Sequence, residues 1–176
     1  MWMKSYDMKA YQYDIQKAQL AGLLHDCAKC IPNGKKLKLC EKHHIQMTEV
    51  ERRNPFLLHA KLGAFLAKEQ YDVKDPEIIS AILNHTTGKP AMSLLDKIVY
   101  VADYIEPRRN KAPNLTEVRK LAFLNLDEAL YKILSDTLEY LDEGSGEIDQ
   151  MTMKAYEYYK AKRVEQESRR KKEENL

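Results

Sequence analysis

Apolar residues recur along this chain at three- and four-residue intervals, and runs of β-branched residues are few. That spacing belongs to helices with one inward face, so the expected fold is all-α, a single helical bundle. Over residues 18–28, Leu20, Ala21, Leu23, Leu24, Cys27 and Ala28 cover most of a helical circumference. This predicts a buried helix that stops near Ile31-Pro32-Asn33-Gly34. Asn54-Pro55 reads as a cap followed by a first-turn proline and predicts a helix through Phe56, Leu58, Leu62, Phe65 and Leu66. Asp75-Pro76-Glu77 repeats the signal ahead of Ile78, Ile79, Ala81, Ile82 and Leu83, with a stop at Thr86-Thr87-Gly88-Lys89-Pro90.

Ser93 followed by Asp96 is a capping-box pattern for a helix over residues 94–105, which Pro107 closes. Two more helices are expected over residues 116–141 with a break near Asn125, then a turn at Gly144-Ser145-Gly146. Asp149 caps a last helix whose end, residues 163–176, is almost wholly charged and reads as a solvated extension.

At 176 residues, 44% of them hydrophobic, the chain can bury a real core, which excludes a disordered protein. The 29 Lys and Arg against 27 Asp and Glu leave +2, with basic residues clustered only at Arg169-Arg170-Lys171-Lys172. No footprint for nucleic acid follows, and a small-molecule partner is expected. No apolar run approaches the roughly 20 residues a membrane span needs. Three cysteines without an export signal point to reduced thiols and a cytoplasmic location.

Polar residues inside apolar patterns carry the chemistry. His25 and Asp26 sit side by side in a segment otherwise apolar on nearly every side, and an unpaired buried imidazole or carboxylate is costly. His59 lies on the stripe of Leu62 and Leu66, His85 shares the inward face of Ile78 and Ile82, and Asp103 interrupts a long apolar run. Each alone is an ordinary satisfied core residue. Together they place three histidines and two carboxylates on four successive helices of one bundle, where inward side chains can converge on a metal. Imidazole and carboxylate donors suit iron, manganese or zinc. Two such ions bridged by Asp26 and a hydroxide would suit phosphate-ester or anhydride hydrolysis. A competing zinc site is spelled by Cys27, Cys30, Cys40 and His43, although Cys27 falls within the buried helix and idle thiols explain the pattern as well.

The order His25-Asp26, His59, His85, Asp103 resembles the HD superfamily of metal-dependent phosphohydrolases. The strings Ala21-Gly22-Leu23-Leu24-His25-Asp26-Cys27-Ala28-Lys29, His85-Thr86-Thr87-Gly88, Ser93-Leu94-Leu95-Asp96-Lys97 and Ala102-Asp103-Tyr104-Ile105-Glu106-Pro107-Arg108 resemble its YqeK-type branch, over about residues 14–160. That branch comprises symmetrical bis(5'-nucleosyl)-tetraphosphatases, di-iron helical enzymes that split diadenosine tetraphosphate into two ADP. The resemblance implies metal ligands at His25, Asp26, His59, His85 and Asp103, with Asp26 bridging and a metal-bound hydroxide as nucleophile. It further implies Lys29 facing the phosphates, and Thr86, Thr87 and Arg108 contacting phosphate or nucleotide.

The pattern departs from the branch at one point. The branch begins with another histidine on a helix before His25, and no histidine precedes His25 here. Residues 1–13 read as the far end of that helix, so a truncated first helix is expected. The domain is then residues 1–160, with 161–176 as the charged extension. Two alternatives stay open: an HD phosphohydrolase for another nucleotide, and a non-catalytic helical module that binds metal or nucleotide. The oligomeric state is open as well, a homodimer among the choices.

Overall fold

The computed structural model describes residues 14–144 and 146–173, and among these it contains helices and no strand. The all-α expectation holds. Residues 1–13, on which the truncated-helix expectation falls, and Ser145 in the expected turn lie outside the described residues.

The helices are α1 (Ile15–Leu24), α2 (Asn33–Lys42), α3 (Glu49–Arg53), α4 (Leu58–Glu69), α5 (Pro76–Asn84), α6 (Leu94–Tyr104), α7 (Leu115–Leu124), α8 (Leu126–Glu143) and α9 (Gln150–Glu173). Their starts obey local chemistry. Asp75 accepts from the N–H of Glu77 with Pro76 in the first turn of α5, and Ser93 and Asp96 exchange both bonds of a capping box on α6. Asn125, extended at φ −159°, ends α7 and caps α8 through the N–H groups of Asp127 and Glu128. Asp149 takes the N–H of Met151 at the start of α9.

Three expectations are corrected. The helix expected over 18–28 ends at Leu24, because successive three-residue turns follow: Cys27 donates to Leu24, Lys29 to Asp26 and Ile31 to Ala28. The helix expected from Asn54 opens with a 3-10 turn, Pro55–Leu57, before α4. The lysine-rich α2 and short α3 went unpredicted, since α2 has little apolar periodicity of its own. It is held instead by a small second core in which Cys40 packs with Ala28, Leu58 and Leu62.

The main core is drawn from α1 and α4 to α9, with α5 packed between α4 and α6 and against α1. Each fully buried Leu or Ile, such as Ile82, Leu95 and Leu130, contributes about 1.5–3 kcal/mol. Asp127 of α8 binds Lys97 of α6 at 2.7 Å and Lys162 of α9 at 2.6 Å, tying three helices together. The charged end of α9 therefore begins as a docked segment, with Arg163 also 3.2 Å from Glu128. Tyr159 is buried with its hydroxyl accepting from the Met92 N–H, and Tyr156 stacks on Tyr131.

Candidate metal centre

The ends of three helices and the start of a fourth meet at one place. His25 is the residue that closes α1, and Asp26 follows it in the first tight turn. His59 is the second residue of α4, His85 closes α5, and Asp103 lies in the last turn of α6. In a continuous helix His25 and Asp26 would point about 100° apart. The turn after Leu24 lets both reach the same point, with His25 Nε2 3.4 Å from Asp26 Oδ2.

Each of the three histidines is oriented the same way. Nδ1 donates to the carbonyl three residues earlier: His25 to Gly22 at 2.8 Å, His59 to Phe56 at 2.6 Å and His85 to Ile82 at 2.7 Å. A carbonyl only accepts, so Nδ1 carries the proton and the lone pair of the neutral ring sits on Nε2. All three Nε2 atoms turn toward the carboxylates. His59 and His85 Nε2 each lie 3.5 Å from Asp26 Oδ1, and His25 Nε2 lies 3.7 Å from Asp103 Oδ1. Backbone carbonyls that fix the tautomer in this way are the usual outer partners of metal-ligating histidines.

Two features of the cluster call for a cation. His59 and His85 Nε2 are 3.0 Å apart, so two neutral rings oppose lone pair to lone pair. The Thr86 hydroxyl is 3.2 Å from both and has one proton to give. Burial lowers the His59 pKa, with His85 adding to the effect, which works against protonation as the remedy. Second, Asp26 Oδ1 is buried and takes no hydrogen bond among the described residues. A divalent ion resolves both at once, and 3 Å is about the spacing of two imidazole nitrogens roughly 2.0–2.1 Å from one ion at a right angle. His25, Asp26 and His85 each offer an atom within 4.8 Å of the others.

The electrostatics are steep. Burial disfavours charge on His25, yet Asp103 and Asp26 outweigh it and push its pKa up to about 10. Burial likewise favours the protonated form of Asp26, but His25, His85 and Lys29 hold that carboxyl far below the ordinary carboxylate range. Asp103 is lowered too, its burial offset by His25 and then by Arg109. Both carboxylates stay ionised.

The other expected residues divide. Lys29 Nζ is 2.7 Å from Asp26 Oδ2, with the lysine exposed at the rim. Thr86 touches the histidine pair, whereas the Thr87 hydroxyl donates to the carbonyl of Gly88. Gly88 turns the chain back toward α6 at φ +68°, and a Cβ there would stand 3.2 Å from Met92 Cε. Arg108 is exposed, and its backbone N–H donates to Glu106. Its neighbour Arg109, not among the expected residues, places Nη2 3.7 Å from Asp103 Oδ2. Adjacent arginines offered no sequence signal to choose between them.

The alternative zinc set does not gather: Cys27 Sγ approaches the Gly63 carbonyl, Cys30 is exposed, Cys40 is in the second core and His43 packs on Phe65. Asp96 is buried and does more than cap α6, for it also accepts from Ser80 at 2.7 Å and pairs with Lys89 at 3.0 Å. His43 and His44 are exposed.

A helical bundle that gathers a His-Asp pair with two further histidines and a last aspartate is the arrangement of the HD class, and residues 2–108 match the HD domain family. The chain is 40% identical over 128 residues to the symmetrical bis(5'-nucleosyl)-tetraphosphatase of Bacillus subtilis, covering 73% of this chain and 68% of that one. The protein of the same name from Staphylococcus aureus is 30% identical over 151 residues, 85% of this chain and 77% of its own length. A crystal structure of a predicted HD superfamily hydrolase involved in NAD metabolism from Clostridium acetobutylicum superposes with TM-score 0.84 at 37% identity, covering 89% of this chain and 82% of that one. The chain belongs to the HD domain family, in the branch formed by the symmetrical tetraphosphatases. HD domains bind divalent metals, and the His/Asp cluster holds the donors such an ion requires. No described helix is long and apolar enough to cross a membrane.

Proposed function

We propose that this protein hydrolyses dinucleoside tetraphosphates, cutting diadenosine tetraphosphate into two molecules of ADP. The single observation that carries the reading is the 3.0 Å approach of His59 and His85 Nε2 beside the unpartnered Asp26 Oδ1, a donor set built for divalent cations. The relatives in Bacillus subtilis and Staphylococcus aureus supply the substrate class.

In this reading His25, Asp26, His59, His85 and Asp103 would hold two divalent ions, iron first. Bound divalent ions supply an activated water and neutralise charge on phosphate oxygens. The chain's own groups do the rest. Asp26 stays ionised throughout the neutral range and keeps the centre assembled. Lys29, at the open rim and 2.7 Å from Asp26 Oδ2, is a flexible point charge for the phosphates. The Thr86 hydroxyl donates within the cluster. Free Cys27, Cys30 and Cys40 support a reducing, cytoplasmic location.

The test is product identification with metal analysis of anaerobically purified protein. The reading expects two irons per chain and ADP as sole product from diadenosine tetraphosphate. ATP plus AMP would overturn the symmetrical cut, and nucleotide binding without turnover would favour a non-catalytic module.

A further inference from the structure

Beyond the metal cluster, one arginine holds a turn together in an unusual way. Arg119 of α7 donates from Nε to the carbonyl of Ile105 at 3.3 Å, and from Nη2 to the carbonyls of Glu106 and Arg109 at 3.2 Å each. The first of these oxygens belongs to the residue that caps the end of α6 and the other two to the turn that follows it. A planar fork reaches several of them at once, which a lysine cannot do. The staple is itself anchored, since Asn114, just before α7, donates to both oxygens of Asp136 at 3.1 Å and Asp136 pairs with Lys132.

What the staple holds in place is Arg109. Its guanidinium lies over the Tyr104 ring at 5.5 Å and 3.7 Å from Asp103 Oδ2, too far for a hydrogen bond. Its Nε has no hydrogen-bond partner among the described residues. A buried guanidinium edge without an acceptor is a costly arrangement unless something supplies one. An open cavity of about 720 Å³ adjoins it, lined in part by Pro107, Asn110, Arg119 and Lys120.

We propose that Arg109 takes a phosphate oxygen of the substrate at the rim beside Asp103, and that Arg119 is the positioning residue that holds it there by clasping the Ile105, Glu106 and Arg109 carbonyls. This rests on the phosphohydrolase reading above and names a cation, besides Lys29, that meets the polyphosphate. Arg109 is fork-shaped and suits phosphate oxygens. Arg119, whose Nε and Nη2 are engaged by these carbonyls, acts through it.

Steady-state kinetics on diadenosine tetraphosphate and calorimetric titration with ADP, both on the metal-loaded protein, test this in Arg109→Gln, Arg119→Gln, Arg119→Lys and the double variant Arg109→Gln/Arg119→Gln. In Arg109→Gln, KM rises and ADP affinity falls by about tenfold or more, with kcat less affected and metal content unchanged. Arg119→Gln shifts KM and ADP affinity in the same direction, and Arg119→Lys, which keeps the charge, does not rescue them. The double variant is no worse than Arg109→Gln alone.

A full Arg119→Gln effect in the Arg109→Gln background, wild-type ADP affinity in Arg109→Gln, or a larger loss from Arg108→Gln than from Arg109→Gln would each overturn the proposal. So would wild-type protein that does not bind ADP. If Arg119→Gln fails to fold, Arg109→Gln and Arg119→Lys still decide. Arg109-dependent ADP binding without cleavage would sink the hydrolase reading alone. Cleavage with an unmoved KM in Arg109→Gln would sink this one alone.

Discussion

His59 and His85 face each other through their Nε2 atoms at 3.0 Å, each ring locked by an Nδ1 bond to the carbonyl three residues before it. The fold thus holds two acceptors in mutual repulsion at the edge of a buried carboxylate oxygen. Such an arrangement favours positive charge between the two nitrogens, which a bound cation would supply.

Asp26 should be indispensable. Its Oδ1 is the atom 3.5 Å from both histidines, and its Oδ2 reaches His25 and Lys29. Asp26→Ala is expected to abolish metal retention, measured by elemental analysis, and to lower turnover by about a thousandfold or more, of the order lost when a directly acting group is removed. Activity within tenfold of wild type would refute the bridging role.

Metal uptake should grow tighter with pH. In the ion-free protein His25 holds its proton up to about pH 10 against an ordinary 6.5, and that proton must leave before Nε2 can bind a metal. Affinity should climb between those values with proton release, counted by calorimetry in buffers of differing ionisation enthalpy. The stability sign is the reverse. A raised histidine contributes fully below about 6.5 and loses its contribution as pH rises through about 10. The lowered carboxyls of Asp26 and Asp103 contribute above about 3.8 and lose it as acid protonates them. Uptake independent of pH from 6.5 to 10 would contradict the His25 assignment.

Asp96 is a stability prediction. Its side chain is wholly buried and serves Ser93, Ser80 and Lys89 together. Removing one partner of a buried pair costs about 3 kcal/mol or more, and Asp96→Ala should lower Tm by roughly 6–12 °C. Thermal melts followed by circular dichroism decide it, and a shift under about 2 °C would show the network to be dispensable.

Cys30 is exposed and outside the metal cluster. Cys30→Ser should leave activity unchanged and stability within about 0.5 kcal/mol. Loss of folding on that change would revive the thiolate zinc site.

Some of this was readable along the chain because the interactions span four residues or fewer. The caps at Asp75, Ser93 and Asp149 are each a side chain bonding a backbone N–H two or three positions on, so residue type alone announces them. The five acidic and imidazole candidates stood out for a related reason: a charged or ring-polar residue in an apolar stripe must be compensated somewhere.

Where that compensation lies was decided only by packing. α1, α4, α5 and α6 converge because their apolar faces share one core, and no local rule sets the 3.0 Å between His59 and His85. α2 resting on the second core and the choice of Arg109 over Arg108 beside Asp103 are equally tertiary. In both, the partner that fixes the conformation lies ten or more residues away, as Arg119 does for the turn carrying Arg109. The sequence alone therefore singled out the polar residues set into apolar stripes, and the packed helices determined which of their atoms meet.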